Sequence, residues 1–138
     1  MEETLFNRKH SKPQNRIDTL IGAGTVIEGN VSFSGGMRVD GSINGNVIAE
    51  PGKPSTLVIS EQGSVKGEVN ATHLVVNGEI CGEVTASEYL ELHAKARVTG
   101  DVNYRTLEIQ VGAILEGRLI NMSAADQDKV VALKTGNA

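Results

Sequence analysis

Three histidines, one cysteine and a set of evenly spaced acids are the side chains of this 138-residue chain that carry catalytic or metal-binding chemistry. A metal centre needs three or four ligands converging on one point. His10 lies in a polar leading segment, His73 directly precedes Leu74, and His93 follows Leu90 by three places. These positions fall out of register with one another, so no ligand triad forms and the histidines read as ordinary surface residues. Cys81 stands alone, which excludes an intramolecular disulfide and a thiolate cluster and suits a reducing compartment. Set between Ile80 and Gly82, it points outward as an incidental thiol. Gly22-Ala23-Gly24 lacks the spacing of a nucleotide loop and no Gly-Lys-Ser/Thr follows, so it reads as a turn. Serine, histidine and aspartate nowhere take up a hydrolytic arrangement. Glu68, Glu83 and Asp101 each follow a glycine, at the place held elsewhere by Asn30, Asn46 and Arg118. Stacked carboxylates can raise one another's pKa and serve as acid and base. With no cleft or partner base they read as a solvated face, partly offset by Arg118, and the Asp-rich calcium repeat is missing. The expectation is no catalytic residue, no cofactor-binding residue and no metal ligand.

The glycines that precede those acids belong to a pattern of aliphatic, any residue, Gly, any residue, aliphatic. It recurs as Ile27-Glu28-Gly29-Asn30-Val31, Ile43-Asn44-Gly45-Asn46-Val47, Val65-Lys66-Gly67-Glu68-Val69, Ile80-Cys81-Gly82-Glu83-Val84, Val98-Thr99-Gly100-Asp101-Val102 and Leu115-Glu116-Gly117-Arg118-Leu119. The steps between these glycines are 16, 22, 15, 18 and 17 residues. The long step contains Glu50-Pro51-Gly52-Lys53-Pro54-Ser55, a turn-rich insertion expected to bulge as a loop. Period-2 pairs precede most copies: Met37 and Val39, Leu57 and Ile59, Leu74 and Val76, Leu90 and Leu92, Leu107 and Ile109. Such alternation, rich in β-branched residues, marks strands with one buried face, at least two per repeat. No helical period emerges in residues 18–121. One repeat cannot bury its own aliphatic face, whereas stacked repeats can, each strand pairing in parallel with its copy in the next coil. The fold class expected is all-β: a single-stranded parallel β-helix of about six coils of about 17 residues, roughly 30 Å long, with disordered tails. Its domains are a flexible basic tail (1–17), the β-helix (18–121) and a flexible C-terminal tail (122–138), in which Lys129 to Lys134 has the composition for a turn of helix.

Composition agrees. Sixteen Gly, two Phe, two Tyr and no Trp suit thin stacked layers better than a globular core. The net charge of −4 divides unevenly: residues 1–17 carry two acids against four bases, and residues 18–121 carry thirteen acids against seven bases. An acidic body argues against nucleic acid as a partner. No apolar run is long enough to span a bilayer, and Met1 to Phe6 does not read as a secretory signal, which points to the cytoplasm. Function then falls to the ends of the stack, where strand edges and an aliphatic lumen lie open. The first coil offers Leu20, Ile21, Val26, Ile27, Val31 and Phe33, and the last Leu107, Ile109, Leu115 and Leu119. With no capping helix in either flank, end-to-end stacking into filaments is expected. In the leading tail, Leu5 and Phe6 beside Arg8, Lys9 and Lys12 match an anionic lipid surface, at about 1 kcal/mol per base.

The six-fold repeat between short tails resembles the bactofilins, bacterial polymer-forming cytoskeletal proteins, over roughly Asp18 to Asn121. The likeness is strongest at Ile43 to Val47 and from Leu74-Val75-Val76-Asn77-Gly78 into Gly82-Glu83-Val84. The resemblance implies a right-handed β-helix and nucleotide-independent assembly into non-polar filaments whose ends meet like to like. It also implies a peripheral scaffold on the inner face of the cytoplasmic membrane that recruits cell-wall-modifying enzymes and shapes the cell. Family members often place Phe just after the initiator Met with a base soon after; here Phe6-Asn7-Arg8-Lys9 is displaced by Glu2-Glu3-Thr4-Leu5. An alternative is a hexapeptide-repeat acyltransferase, a trimeric left-handed β-helix, which Ile21-Gly22-Ala23-Gly24-Thr25-Val26 resembles. The uneven steps break that family's strict six-residue count, and the scattered His73 and His93 disfavour a zinc-dependent carbonic anhydrase on the same fold.

Overall fold

The computed structural model describes residues 16–123 and 130–131. Each repeat folds as one coil of three short strands separated by bends. The first coil holds β1 (Thr19–Ile21), β2 (Val26–Glu28) and β3 (Val31–Phe33); the second holds β4 (Gly35–Val39), β5 (Ser42–Asn44) and β6 (Val47–Ala49). The third opens with β7 (Ser55–Ile59) and β8 (Ser64–Lys66) and runs into β9 (Val69–Val76), which turns the corner unbroken and opens the fourth. That coil continues through β10 (Glu79–Cys81) into β11 (Val84–Leu92), which opens the fifth in the same way; β12 (Arg97–Thr99) and β13 (Val102–Tyr104) complete it. The sixth contains β14 (Leu107–Ile109), β15 (Ile114–Glu116) and β16 (Leu119–Asn121). All pairings among these strands are parallel, copy on copy. The structure is the expected parallel β-solenoid, with three strands per coil where the period-2 pattern counted at least two.

Register turns the repeat into columns. Met37, Leu57, Leu74, Leu90 and Leu107 stack on one face, beside Ile21, Val39, Ile59, Val76, Leu92 and Ile109. The second face contributes Ile27, Ile43, Val65, Ile80, Val98 and Leu115. The third contributes Val31, Val47, Val69, Val84, Val102 and Leu119. The inner members of these columns are fully buried, so the core is a triangular aliphatic rod. Fully burying each Leu, Ile or Val is worth about 1.5–3 kcal/mol, which is how a chain this poor in aromatics holds together. The insertion at residues 50–54 bulges as an exposed loop between β6 and β7, as its Pro and Gly content predicts.

The motif glycines form a column of their own at the corner between the second and third faces. A Cβ built on Gly45, Gly67, Gly82, Gly100 or Gly117 would overlap the carbonyl oxygen of the glycine one coil below, and Gly82 also has φ +150°. The corner therefore excludes every larger residue on two independent grounds. Gly22, by contrast, faces open space with no left-handed φ. Gly82→Ala should cost about 2–4 kcal/mol, and Gly22→Ala less than about 0.5 kcal/mol; thermal melting of the two variants against the parent checks the difference.

Candidate functional site

The chemistry-bearing side chains of the described residues stay apart. Among the described residues no group of three or more His, Cys, Asp or Glu is placed to hold a metal ion. His93 Nε2 lies 2.9 Å from Glu91 Oε1 on the outer surface. His73 departs from the surface position expected of it, being only 6% exposed. It sits where β9 crosses the corner beneath the inserted loop, beside fully buried Ser55. Thr72 Oγ1 donates to the Ser55 carbonyl at 2.6 Å and accepts from Ser55 N–H at 2.7 Å, while Thr72 N–H donates to Ser55 Oγ at 3.0 Å. Thr72 Oγ1 also lies 3.2 Å from His73 Nδ1 and 3.3 Å from Ser55 Oγ, within hydrogen-bond reach of both. This seam ties the loop to the next coil, and the sequence hides it because Ser, Thr and His are common on surfaces. Cys81 is partly exposed, as expected, with Sγ 3.8 Å from Glu79 Oε2.

The positions after the motif glycines do stack, but as a ladder of links rather than a carboxylate cluster. Asn46 N–H donates to Asn30 Oδ1 at 2.9 Å, and Glu68 N–H to Asn46 Oδ1 at 2.9 Å. At the far end Arg118 binds Asp101 through its backbone N–H at 3.2 Å and its guanidinium at 3.1 Å. That guanidinium holds the Asp101 carboxyl below its ordinary range. The backbone N–H of Gly36 does the same for Asp18, and the Arg38 guanidinium for Asp40. On the first face, the Glu108 carboxylate that accepts the Tyr89 hydroxyl at 2.6 Å pushes that phenol up to about 12.

The ends are the incomplete part of the molecule. Among the described residues, β1, β2 and β3 of the first coil each pair on one side only, with β4, β5 and β6. In the last coil β14 and β15 likewise pair only with β11 and β12. Free N–H and C=O groups on such edges are a template for another chain. Of the residues expected at the first end, Leu20 and Val26 point outward and are each 58% exposed. Ile21 is half-buried, and Phe33 is buried as the aromatic first member of a column that continues through Ala49. At the last end Ile109 is 40% exposed and Leu107 half-buried, whereas Leu115 and Leu119 are core residues. The pattern missed three exposed apolar side chains: Ile17 at the first end, and Ile114 and Val111 at the last, Val111 being 95% exposed. Val111 was detectable by aligning the bends, since it occupies the place held by Glu61 and Ala94 in earlier coils. The tail residues Leu5, Phe6, Arg8, Lys9, His10 and Lys12 lie outside the described residues.

Comparison with known proteins follows this geometry. The family described as "Bactofilin: Polymer-forming cytoskeletal" matches residues 19–120, from β1 into β16. The chain belongs to the bactofilin family. Bactofilin BacO of Myxococcus xanthus (strain DK1622) is 26% identical over 116 residues, covering 84% of this chain and 86% of that protein. Bactofilin BacP of the same organism is 28% identical over 109 residues, covering 79% of this chain and 44% of its own length, so the chain spans less than half of that relative. The crystal structure of a single-substitution mutant of bactofilin from Thermus thermophilus matches with a TM-score of 0.61 and 29% identity, over 67% of this chain and 98% of that one. Bactofilins are structural cytoskeletal proteins and not enzymes, so the acyltransferase and carbonic anhydrase alternatives give way. Among the described residues no helix is long and apolar enough to cross a membrane.

The lowered carboxylates carry a pH signature. A group whose pKa is depressed on folding contributes stability that is complete above its unfolded value, here 3.8, and is lost as pH falls through the folded value. The melting temperature should therefore hold steady between about pH 7 and pH 5 and fall below about pH 4. Asp101→Asn should shrink that acid-side fall, as read by thermal denaturation across the same range.

Proposed function

We propose that this polymer-forming cytoskeletal protein assembles end to end through the open coil edges, without nucleotide, into non-polar filaments at the inner face of the cytoplasmic membrane. The observation that carries the reading is the pairing deficit of β1, β2, β3, β14 and β15, rimmed by exposed Leu20, Val26, Ile109, Val111 and Ile114. An edge on edge contact converts unpaired backbone groups into a continuous sheet and removes apolar surface from water. Column chemistry favours like-to-like contacts. A head-to-tail stack would prolong each column by a coil and set Asn121 against Phe33 and Glu108 against Leu20, polar on apolar. Nucleotide independence is supported by the missing phosphate-loop motif around Gly22-Ala23-Gly24.

Symmetric and polar assembly give different products when one end is blocked. With Leu20→Asp and Val26→Asp, a like-to-like polymer should stop at dimers joined through the last coils, whereas a head-to-tail polymer would stop at monomers. Adding Val111→Asp and Ile114→Asp should then give monomers. Light scattering after size exclusion reads the masses, and unchanged melting shows that the rod still folds. Filaments persisting in the four-fold variant would refute end-to-end assembly.

The membrane part of the proposal rests on the leading tail, where Leu5 and Phe6 supply an apolar pair and Arg8, Lys9 and Lys12 the positive charge. One tail binds weakly at about 1 kcal/mol per base, but a filament displays many and binds by avidity without any new contact. A polymer held at that surface would gather cell-wall-modifying enzymes and so act on cell shape. Phe6→Ser should reduce co-sedimentation with anionic liposomes severalfold while leaving filaments intact; unchanged pelleting removes the tail from the account.

A further inference from the structure

The two ends of the rod are not equally open. A short strand, β17 (Val130–Val131), lies on the outer edge of β16, with Leu119 opposite Val131 and Ile120 opposite Val130. It runs antiparallel, while every other pairing among the described residues is parallel. Among the described residues nothing equivalent covers β1, β2 or β3. The last coil thus has one of its three edges occupied by the chain's own C-terminal segment and two edges free. The segment that the composition allowed as a turn of helix contributes backbone pairing of a strand instead.

The sense of that pairing is informative. A twofold contact between two last coils reverses the direction in which the chain circulates about the rod axis, so facing strands meet antiparallel; a head-to-tail contact keeps the circulation and makes them parallel. β17 therefore takes, on β16, the direction that a second copy would take in a symmetric contact. We infer that β17 is an intramolecular stand-in for that copy, a guard strand that must leave β16 before two last coils can close on all three faces. It makes the contact through the first coils the easy one and the contact through the last coils the conditional one. This rests on the end-to-end reading above. Two residues of ladder are a small obstacle, comparable to one or two backbone hydrogen bonds. They suit a threshold that concentration or a competing binder can overcome.

The test uses the full chain with Val130→Pro and Val131→Pro, because proline has no N–H to donate to an edge. Melting of the rod should fall by no more than a few degrees, the worth of one or two backbone hydrogen bonds. The protein concentration at which filaments appear in negative stain and light scattering should fall roughly five- to tenfold, the worth of those hydrogen bonds. In the Leu20→Asp, Val26→Asp background, where only last coils can join, the dimer dissociation constant should fall by the same factor. Filaments at an unchanged threshold would overturn the guard and leave end-to-end assembly standing. A raised threshold would overturn it too, by making β17 part of the contact between copies. If neither chain forms any oligomer, end-to-end assembly itself fails and the guard with it.

Discussion

Everything in this molecule depends on each coil sitting one strand spacing above the last, close enough for a parallel ladder on three faces at once. That spacing leaves no room at the sharpest corner, where the carbonyl oxygen of one glycine occupies the space a side chain would need on the next. The ladder supplies direction and register, and the aliphatic columns supply the free energy. Neither is available to a single coil, because its apolar residues have nothing to cover them until a neighbour arrives. Stability is therefore a property of contacts between repeats, and the first and last repeats always lack one.

Function follows from that deficit. Among the described residues the rod has no group of acids, cysteines or histidines placed to hold a metal ion, and buried His73 reaches its neighbour Thr72, which ties the inserted loop to the next coil. What it has is two terminal surfaces with unpaired backbone and exposed apolar side chains, the requirements for adding a further coil from another copy. In the end-to-end assembly proposed above, a polymer would continue the protein's own folding across molecules. The ends nonetheless differ in detail. The first presents three bare edges with Leu20 and Val26, and the last presents two bare edges with Val111 and Ile114 and a third already paired. Under the like-to-like assembly proposed above, a filament built from such a unit would have two chemically distinct joints.

Much of this was legible before any coordinates. Six copies of one motif named the architecture, the period-2 pairs named the column residues, and Pro51, Gly52 and Pro54 named the loop. At the positions after the glycines, the backbone links that Asn30 and Asn46 make to the next coil were not visible in the sequence. Burial at the ends was read too evenly. Phe33, Leu115 and Leu119 belong to terminal repeats yet are buried, whereas Ile109, in an inward column of the last coil, is 40% exposed. Leu20 and Val26 sit at the alternate positions and so face water.

The sequence by itself determined the repeat, its spacing and the sort of residue at each place in a coil, because steric exclusion at the glycine corner and apolar burial act at fixed offsets along the chain. Only the tertiary structure decided which offsets meet across coils. It tied Thr72 to Ser55 at the foot of the inserted loop, buried His73 beside Thr72, and brought Val130 and Val131 onto β16. The pairing of β17 with β16 depends on distance in space between segments with no common period, and no local preference encodes it.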